Sequence, residues 1–231
     1  MTAREFLKSL PTKLGMGCMR FPMMEDAKDQ TDVDVDEAVK MIRHSIDSGA
    51  VYIDTAYPYH GGVSENIVAK AMKDGYREKA IIANKLPSWL IKEPEDMEKY
   101  LNEQLAKLET DHIDFYLLHA LSESHWANYD KEALKVFIEK IKADGRVKYI
   151  GFSYHDELPL FKEIVDFYEW DFVQIQYNYL DIEYQAGLEG LEYLDQRNIA
   201  VVIMEPLRGG SLSGLMSEDV QAMIQNHSQG C

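Results

Sequence analysis

Four residues whose side chains together make a proton donor follow three successive apolar segments of the chain. They are Asp54, Tyr59, Lys85 and His119. A free tyrosine has a pKa of about 10 and gives up its proton poorly at neutral pH. A nearby lysine ammonium lowers that pKa, and a carboxylate behind the lysine keeps the lysine charged. An imidazole opposite can hydrogen-bond the substrate oxygen. The set predicts general acid catalysis by Tyr59.

This donor suits a carbonyl oxygen that becomes an alkoxide while a hydride arrives at carbon. General acid catalysis of this kind is worth about 10²- to 10⁴-fold in rate. The four residue types therefore predict reduction of an aldehyde or a ketone, if the fold brings them to one cavity.

The segments that must position these residues alternate between short apolar runs and amphipathic helices, and Ser64 and Asp130 are predicted N-caps. This rhythm predicts an α/β fold with a parallel sheet. The first run lacks the G-x-G-x-x-G loop of an open dinucleotide-binding sheet, so a (β/α)8 TIM barrel is favoured, with the site at its carboxyl-terminal end. The seven predicted strands are 13–19, 51–54, 80–85, 113–119, 147–153, 172–176 and 199–204.

The chain is short for a closed barrel, which typically needs about 250 residues. The seventh predicted strand ends near Met204, and one further helix, roughly Ser217 to Gln225, follows among the 231 residues. We therefore expect a single domain over 1–231, truncated at the C-terminus, with the eighth βα unit missing. The first and seventh strands would then be open edges through which copies could associate as a homo-oligomer.

The charge and composition of the chain limit the classes of molecule that it could bind. Acidic residues outnumber basic ones 40 to 24, a net charge of −16. Such a surface argues against nucleic acid or an anionic membrane as partner and leaves a small-molecule substrate. The start of the chain lacks a signal-peptide pattern, and no apolar run is long enough to span a bilayer. The predicted compartment is the cytoplasm.

Two longer motifs carry a resemblance to a known family. Residues 52–65, around Asp54 and Tyr59, and residues 111–119, ending in His119, are similar to signatures of the aldo-keto reductases. The resemblance implies that Asp54, Tyr59, Lys85 and His119 form that family's catalytic tetrad. It implies reduction of a carbonyl substrate by NAD(P)H.

The resemblance also implies a cofactor site. Met204 stands where the family has an aromatic ring stacked on the nicotinamide, and Arg208 lies in a segment similar to its pyrophosphate-binding loop. The family implies NADP(H), whereas the residues that read its 2′-phosphate follow the eighth strand, so this sequence itself does not favour NADP(H) over NAD(H). The implied cofactor-binding residues are Gly17, Cys18, Met19, Ser153, Gln174, Met204, Leu207, Arg208 and Gly210.

Within the family, residues 205–210 and 74–79 resemble a bacterial or archaeal subgroup. Its longer members carry a C-terminal, cysteine-rich iron–sulfur segment. This chain has two cysteines and no such segment, so we expect no iron–sulfur cluster and no metal site.

Three alternatives remain open from the residues. A metal-dependent barrel hydrolase could use His60, His119, His155 and Asp54 as ligands. A Schiff-base lyase could use Lys85. Thirdly, the chain could be an inactive or partner-dependent fragment of a reductase, binding cofactor weakly until an eighth strand is supplied.

Overall fold

A computed structural model describes residues 1–212 of the chain. All seven apolar runs are strands, most of them close to their predicted bounds. β1 is shorter than predicted, and β4 runs two residues further than His119. The strands are β1 (Gly15–Gly17), β2 (Tyr52–Asp54), β3 (Ile81–Leu86), β4 (Ile113–Leu121), β5 (Val147–Tyr154), β6 (Phe172–Gln176) and β7 (Ala200–Met204).

The strands form one sheet in the consecutive order β1 to β7, and every pair is parallel. The register sets Asp54 beside Ala83, and Lys85 beside Leu117. Because all the strands point the same way, Asp54, Lys85 and His119 come to the same end of the sheet. This confirms the α/β class and the parallel sheet.

Helices connect the strands and pack apolar faces against them. Asp130 accepts a hydrogen bond from the Ala133 N–H group, as predicted for an N-cap. The prediction for Ser64 is wrong, because Val63 is the N-cap residue and Ser64 is the first helical residue. The helices are α1 (Ala3–Ser9), α2 (Val35–Asp47), α3 (Ser64–Ala71), α4 (Glu95–Leu108), α5 (Glu123–Ala127), α6 (Lys131–Ala143), α7 (Leu158–Phe167) and α8 (Gly187–Gln196).

The helix α1, which the sequence pattern did not predict, covers the amino-terminal end of the sheet. The ring of Phe6 lies 5.9 Å from that of Phe115 and 5.7 Å from that of Tyr149. Buried side chains of the strand interior, including Tyr52 and Phe172, complete this cluster. The polar site therefore has only the carboxyl-terminal end of the sheet available to it.

Among residues 1–212, β1 pairs only with β2, and β7 pairs only with β6. The predicted helix at Ser217–Gln225 and the predicted absence of an eighth βα unit concern residues outside this range. They stay predictions, as does association through the two outer strands. None of the helices in residues 1–212 combines the length and apolar character needed to cross a membrane.

Candidate active site

Lys85 is the centre of the site. Its side chain is only 2% exposed, and its ammonium Nζ makes three hydrogen bonds. It donates to Asp54 Oδ1 at 2.5 Å, to the Thr55 carbonyl at 2.8 Å and to the Tyr59 hydroxyl at 3.3 Å. An ammonium has three protons to donate, so each one has an acceptor and the charge is compensated where water is excluded.

The ammonium stays charged despite its burial. Burial by itself lowers the pKa of Lys85, but the charge of Asp54, the Tyr59 oxygen and the hydrogen bonds to both outweigh it. The net effect is a pKa above the ordinary lysine value. A charged Lys85 therefore lies against the Tyr59 hydroxyl at neutral pH.

The pKa of Tyr59 differs from the sequence-based expectation. Burial raises it, Lys85 lowers it and Asp54 raises it, and the net result lies above the ordinary value of 10.0. The expected effect of the lysine is present, but desolvation is larger. The phenol therefore carries its proton throughout the neutral range, which is the form that a general acid needs.

His119 stands beside the phenol. Its ring is edge-on to that of Tyr59, with centroids 6.1 Å apart, and the centroid of the Trp89 ring lies 5.2 Å from that of His119. Burial and the neighbouring Lys85 charge hold the pKa of His119 well below its ordinary value of 6.5. The imidazole is neutral at pH 7, so it can act as both donor and acceptor towards a ligand.

A short 3₁₀ turn presents Tyr59 to the site. The turn spans Tyr59–Gly62, and its Gly61 has a φ of +61°, a conformation in which L side chains are strained. A Cβ on Gly61 would also lie 2.6 Å from Thr31 Cγ2. Both the backbone conformation and the close approach of the loop that follows β1 therefore favour glycine at this position.

Gln174 joins the predicted tetrad to the predicted cofactor residues. Its Nε2 donates to Asp54 Oδ2 at 2.9 Å, so both oxygens of that carboxylate are hydrogen-bonded. Its Oε1 is buried and has no hydrogen-bond partner in the part of the chain that is described. A buried amide oxygen of this kind fits an incoming N–H donor, such as the carboxamide of a nicotinamide.

The predicted cofactor residues near β1 and β5 lie at the same end of the sheet. Gly17 and Met19 are exposed, and no atom would lie within 4 Å of a Cβ on Gly17. Cys18 is fully buried in the core, and its backbone N–H donates to the Asp54 carbonyl at 2.8 Å. Ser153 is buried and its hydroxyl accepts the Ala120 N–H at 2.7 Å. Gly17 and Met19 are thus more accessible than the other two.

The segment after β7 carries the other predicted contacts. Met204 is half-buried and Leu207 is exposed. Arg208 is exposed and pairs with Asp181 at 3.2 Å, and Gly210 has a φ of +95°. Several N–H groups of this segment donate to its own carbonyls, including that of Gly210 to Leu207. The Arg208 guanidinium therefore already has an acidic partner, on the loop that follows β6.

The structure gives the metal-site alternative no support. His60 accepts the Phe21 N–H through Nε2 at 3.0 Å, and the backbone of Gln30 hydrogen-bonds the same ring. Both ring nitrogens therefore hold the loop that follows β1. In the residues that the structure describes, no three His, Cys, Asp or Glu side chains are grouped as metal ligands.

Some functional contacts were not predicted. The Thr55 carbonyl accepts from Lys85, and the Ser64 hydroxyl lies 2.9 Å from Thr55 Oγ1. Glu65, on α3, is fully buried and accepts hydrogen bonds from Asn84 and Gln104. The sequence did contain a signal for these contacts, namely charged and polar residues within apolar faces. Such residues indicate buried hydrogen bonds, because a buried polar group needs a partner.

The consecutive parallel sheet, with a buried ammonium at its carboxyl-terminal end, defines a barrel-type α/β protein with a polar site on that rim. A sequence model described as the aldo/keto reductase family matches residues 13–231. The chain belongs to this family, which confirms the resemblance of residues 52–65 and 111–119.

Individual relatives agree with this membership. The chain is 27% identical over 205 residues to the NADH-specific methylglyoxal reductase of Escherichia coli, covering 81% of this chain and 62% of that protein. The aldo-keto reductase AKR11C1 from Bacillus halodurans in its holo form is 26% identical, with a TM-score of 0.71, covering 89% of this chain and 64% of that one.

An aldo-keto reductase from Klebsiella pneumoniae in complex with NADPH has a TM-score of 0.71 and 24% identity. The match covers 93% of this chain and 72% of that one. At this identity the likeness concerns the fold alone. The chain spans between 41% and 65% of the length of the curated relatives that it matches.

Proposed function

We propose that the chain reduces an aldehyde or a ketone with hydride from a nicotinamide cofactor, with Tyr59 as the general acid. The observation that carries the proposal is the buried Lys85 ammonium, which donates to Asp54 and to the Tyr59 hydroxyl at once. Membership of the aldo/keto reductase family supports the same chemistry.

In this proposal a bound nicotinamide supplies the hydride. Tyr59 gives its phenolic proton to the carbonyl oxygen as negative charge develops there. Lys85 stabilises the phenolate that remains, and Asp54 holds Lys85 in place. His119, neutral at pH 7, orients the carbonyl oxygen by a hydrogen bond.

The residues that would hold the cofactor lie around this group. Gln174 Oε1 would accept from the carboxamide, Ser153 lies beside it on β5, and Met204 would meet the nicotinamide ring. Gly17, Met19, Leu207, Arg208 and Gly210 would line the path of the phosphates, and Cys18 would support them from the core. NADP(H) is our expected cofactor from the family, and the NADH-specific Escherichia coli relative makes NADH the direct comparison.

Oxidation of NADPH and of NADH against a panel of aldehydes, ketones and sugars tests the proposal. We expect carbonyl-dependent oxidation that a chelator leaves unchanged, since no metal takes part. Loss of the rate with a chelator would favour the hydrolase-type metal site. Trapping of substrate on Lys85 by borohydride would favour the Schiff-base lyase. A chain that binds either cofactor but oxidises neither would contradict the proposal.

Cofactor binding is tested separately by fluorescence titration. Gln174→Met removes the unpaired amide oxygen, and we expect weaker cofactor binding by about tenfold, since one hydrogen bond to a buried group is worth about 1–3 kcal/mol. Gln196→Met, on the exposed end of α8, is the matched control and should bind as the wild type does. Equal affinities for all three proteins would remove Gln174 from the proposed site.

A further inference from the structure

A buried hydrogen-bond network lies directly beneath Lys85 and takes no part in the proposed chemistry. It joins Glu65 on α3, Asn84 on β3, Gln104 on α4 and Tyr116 on β4, and we call it the Glu65 network. Asn84 Nδ2 donates to Glu65 Oε1 at 2.7 Å, and Gln104 Nε2 donates to the same oxygen at 3.0 Å. The Tyr116 hydroxyl donates to Gln104 Oε1 at 2.6 Å.

The network forms hydrogen bonds with both backbone polar groups of Lys85, its N–H and its carbonyl. The Lys85 N–H donates to Asn84 Oδ1 at 2.9 Å, and Gln104 Nε2 donates to the Lys85 carbonyl at 2.9 Å. Glu65 is the acceptor shared by both amide side chains, so it fixes the orientation of each. If Glu65 were displaced, the side chains of Asn84 and Gln104 could rotate. The peptide groups on either side of Lys85 could then shift, and they determine where the lysine side chain begins.

A buried carboxylate such as that of Glu65 lowers the stability of the fold, which is unfavourable if its role is purely structural. Glu65, Asn84 and Gln104 are each fully buried, and the carboxylate of Glu65 is compensated from outside by Lys107 Nζ, 3.3 Å from Oε2. Burial raises the pKa of Glu65, while the two amides and Lys107 oppose that rise. A buried carboxylate stabilises a core less well than packed apolar side chains of similar volume.

Ser64, which precedes Glu65 on α3, is connected to the surroundings of the Lys85 ammonium. The Ser64 hydroxyl lies 2.9 Å from Thr55 Oγ1 and donates to the Cys18 carbonyl at 3.3 Å. Thr55 is in turn the residue whose carbonyl accepts a hydrogen bond from Lys85 Nζ. The first turn of α3 is thus connected both to the backbone of Lys85 and to one of the three acceptors of its ammonium.

We propose that Glu65 is a positioning residue, which acts through Asn84 and Gln104 to hold the Lys85 ammonium against the Tyr59 hydroxyl. The inference rests on the proposed function for its catalytic meaning. The placement of the Lys85 ammonium beside the Tyr59 phenol can be measured without any enzymatic turnover.

Glu65→Gln is the test, because the amide has the same shape but must turn an NH₂ group towards the Lys107 ammonium or towards a donating amide. We expect kcat to fall by up to about 10²-fold, the cost of a misplacement on the order of 1 Å, with KM little changed. In a Lys85→Met background the same substitution should have no further effect on kcat, because the residue it positions is gone.

The control is Asp114→Asn, which alters another buried carboxylate that accepts from the backbone of β3. Asp114 Oδ2 accepts the Ile82 N–H at 3.0 Å and lies 3.1 Å from Arg77 Nη2, at the opposite end of the sheet. This variant should lose stability without changing kcat. Equal losses of kcat for Asp114→Asn and Glu65→Gln, or additive losses with Lys85→Met, would reduce Glu65 to a structural residue.

A spectroscopic titration gives a reading that does not depend on activity. The ultraviolet absorbance change of tyrosinate, taken as the difference between each protein and its Tyr59→Phe partner, isolates the Tyr59 phenol. Withdrawing the ammonium should raise the pKa of Tyr59 in Glu65→Gln and leave it unchanged in Asp114→Asn. Gln104→Met removes the other arm of the Glu65 network and gives the same reading if the first variant does not fold.

The two readouts separate the possible failures. A shifted Tyr59 titration in a chain that reduces no carbonyl would uphold the positioning role and overturn the proposed function. An unshifted titration in a folded Glu65→Gln protein, whatever its activity, would overturn the positioning role.

Discussion

Two carboxylates at opposite ends of one sheet, the buried Asp114 and the partly buried Asp54, are each paired with a cation, and the remaining contacts of the two pairs differ. At the amino-terminal end, Asp114 Oδ2 holds the Ile82 N–H and Arg77, whose guanidinium also donates to the His112 carbonyl. At the carboxyl-terminal end, the Lys85 ammonium holds Asp54 and donates its remaining bonds to the Thr55 carbonyl and to the Tyr59 hydroxyl.

The difference lies in the last acceptor. The hydrogen bonds recorded for the Asp114–Arg77 pair tie strands, loops and His112 together, and none involves a phenol. The Asp54–Lys85 pair gives one bond to a hydroxyl that can release a proton, beside a neutral imidazole. In the proposed function, the Asp54–Lys85 pair leaves part of its field for the phenol that donates the proton, whereas the Asp114–Arg77 pair bonds only within the fold.

The largest expected effect comes from removing each cation. Arg77→Met leaves the buried Asp114 carboxylate without its cation, and Lys85→Met leaves the partly buried Asp54 carboxylate without its own. Breaking a buried pair in this way typically costs about 3–5 kcal/mol in the free energy of unfolding. Arg77 is the more exposed of the two cations, so its loss should cost less. Denaturant titration measures both.

Turnover then separates the two ends of the sheet. Folded Arg77→Met should keep the wild-type kcat, while Lys85→Met should lose most of it and keep a residual rate. Comparable losses of kcat in the two variants would break the distinction between the ends.

A smaller effect is expected where α1 covers the amino-terminal end of the sheet. Phe6→Ala removes the half-buried ring that contacts Phe115 and Tyr149, which should cost about 2 kcal/mol in the free energy of unfolding. The kcat of the folded variant should not change, because the ring faces the end of the sheet away from Lys85. A drop in kcat at unchanged stability would mean that the two ends are coupled.

The smallest effect is a pH dependence at the carboxyl-terminal end. His119 is buried neutral with its pKa well below 6.5, so the unfolded chain binds a proton more readily than the folded one. Stability should therefore be full above about pH 6.5 and fall as the pH drops below it, by at most about 1.4 kcal/mol per pH unit.

Denaturant titrations between pH 7 and pH 5, as an approximate window for a histidine, measure this slope. His119→Asn should reduce it, leaving the part that comes from His60 and His155, whose pKa values burial also lowers. His44→Asn, at an exposed position on α2, should leave the slope as in the wild type. An unchanged slope in His119→Asn would contradict the burial of a neutral imidazole.

Much of the fold was predictable, for identifiable physical reasons. The strands β2 to β6 are largely buried and therefore read as continuous apolar runs, and parallel strands bring their carboxyl ends to one rim. That is why Asp54, Lys85 and His119 could be expected near one another. The helix α1 was missed because a seven-residue helix has little periodicity, and its burial depends on strands far away in sequence.

The finer features of the site depend on tertiary packing. The net pKa of Tyr59 reflects a balance between burial and Lys85 that no residue pattern contains. Ser64 resembles an N-cap in sequence, but its hydroxyl is directed to Thr55, and the helix begins without a side-chain cap. The role of Gln174 in holding Asp54 required the register of β6 to be known.

The most direct test of the account compares two tyrosines of one short region of the chain. Tyr59→Phe removes the hydroxyl that Lys85 contacts, whereas Tyr52→Phe removes a buried hydroxyl that has no hydrogen-bond partner among the described residues. We expect kcat/KM for carbonyl reduction to fall by about 10²- to 10⁴-fold in Tyr59→Phe and to stay at the wild-type value in Tyr52→Phe. Full activity of Tyr59→Phe would contradict the account.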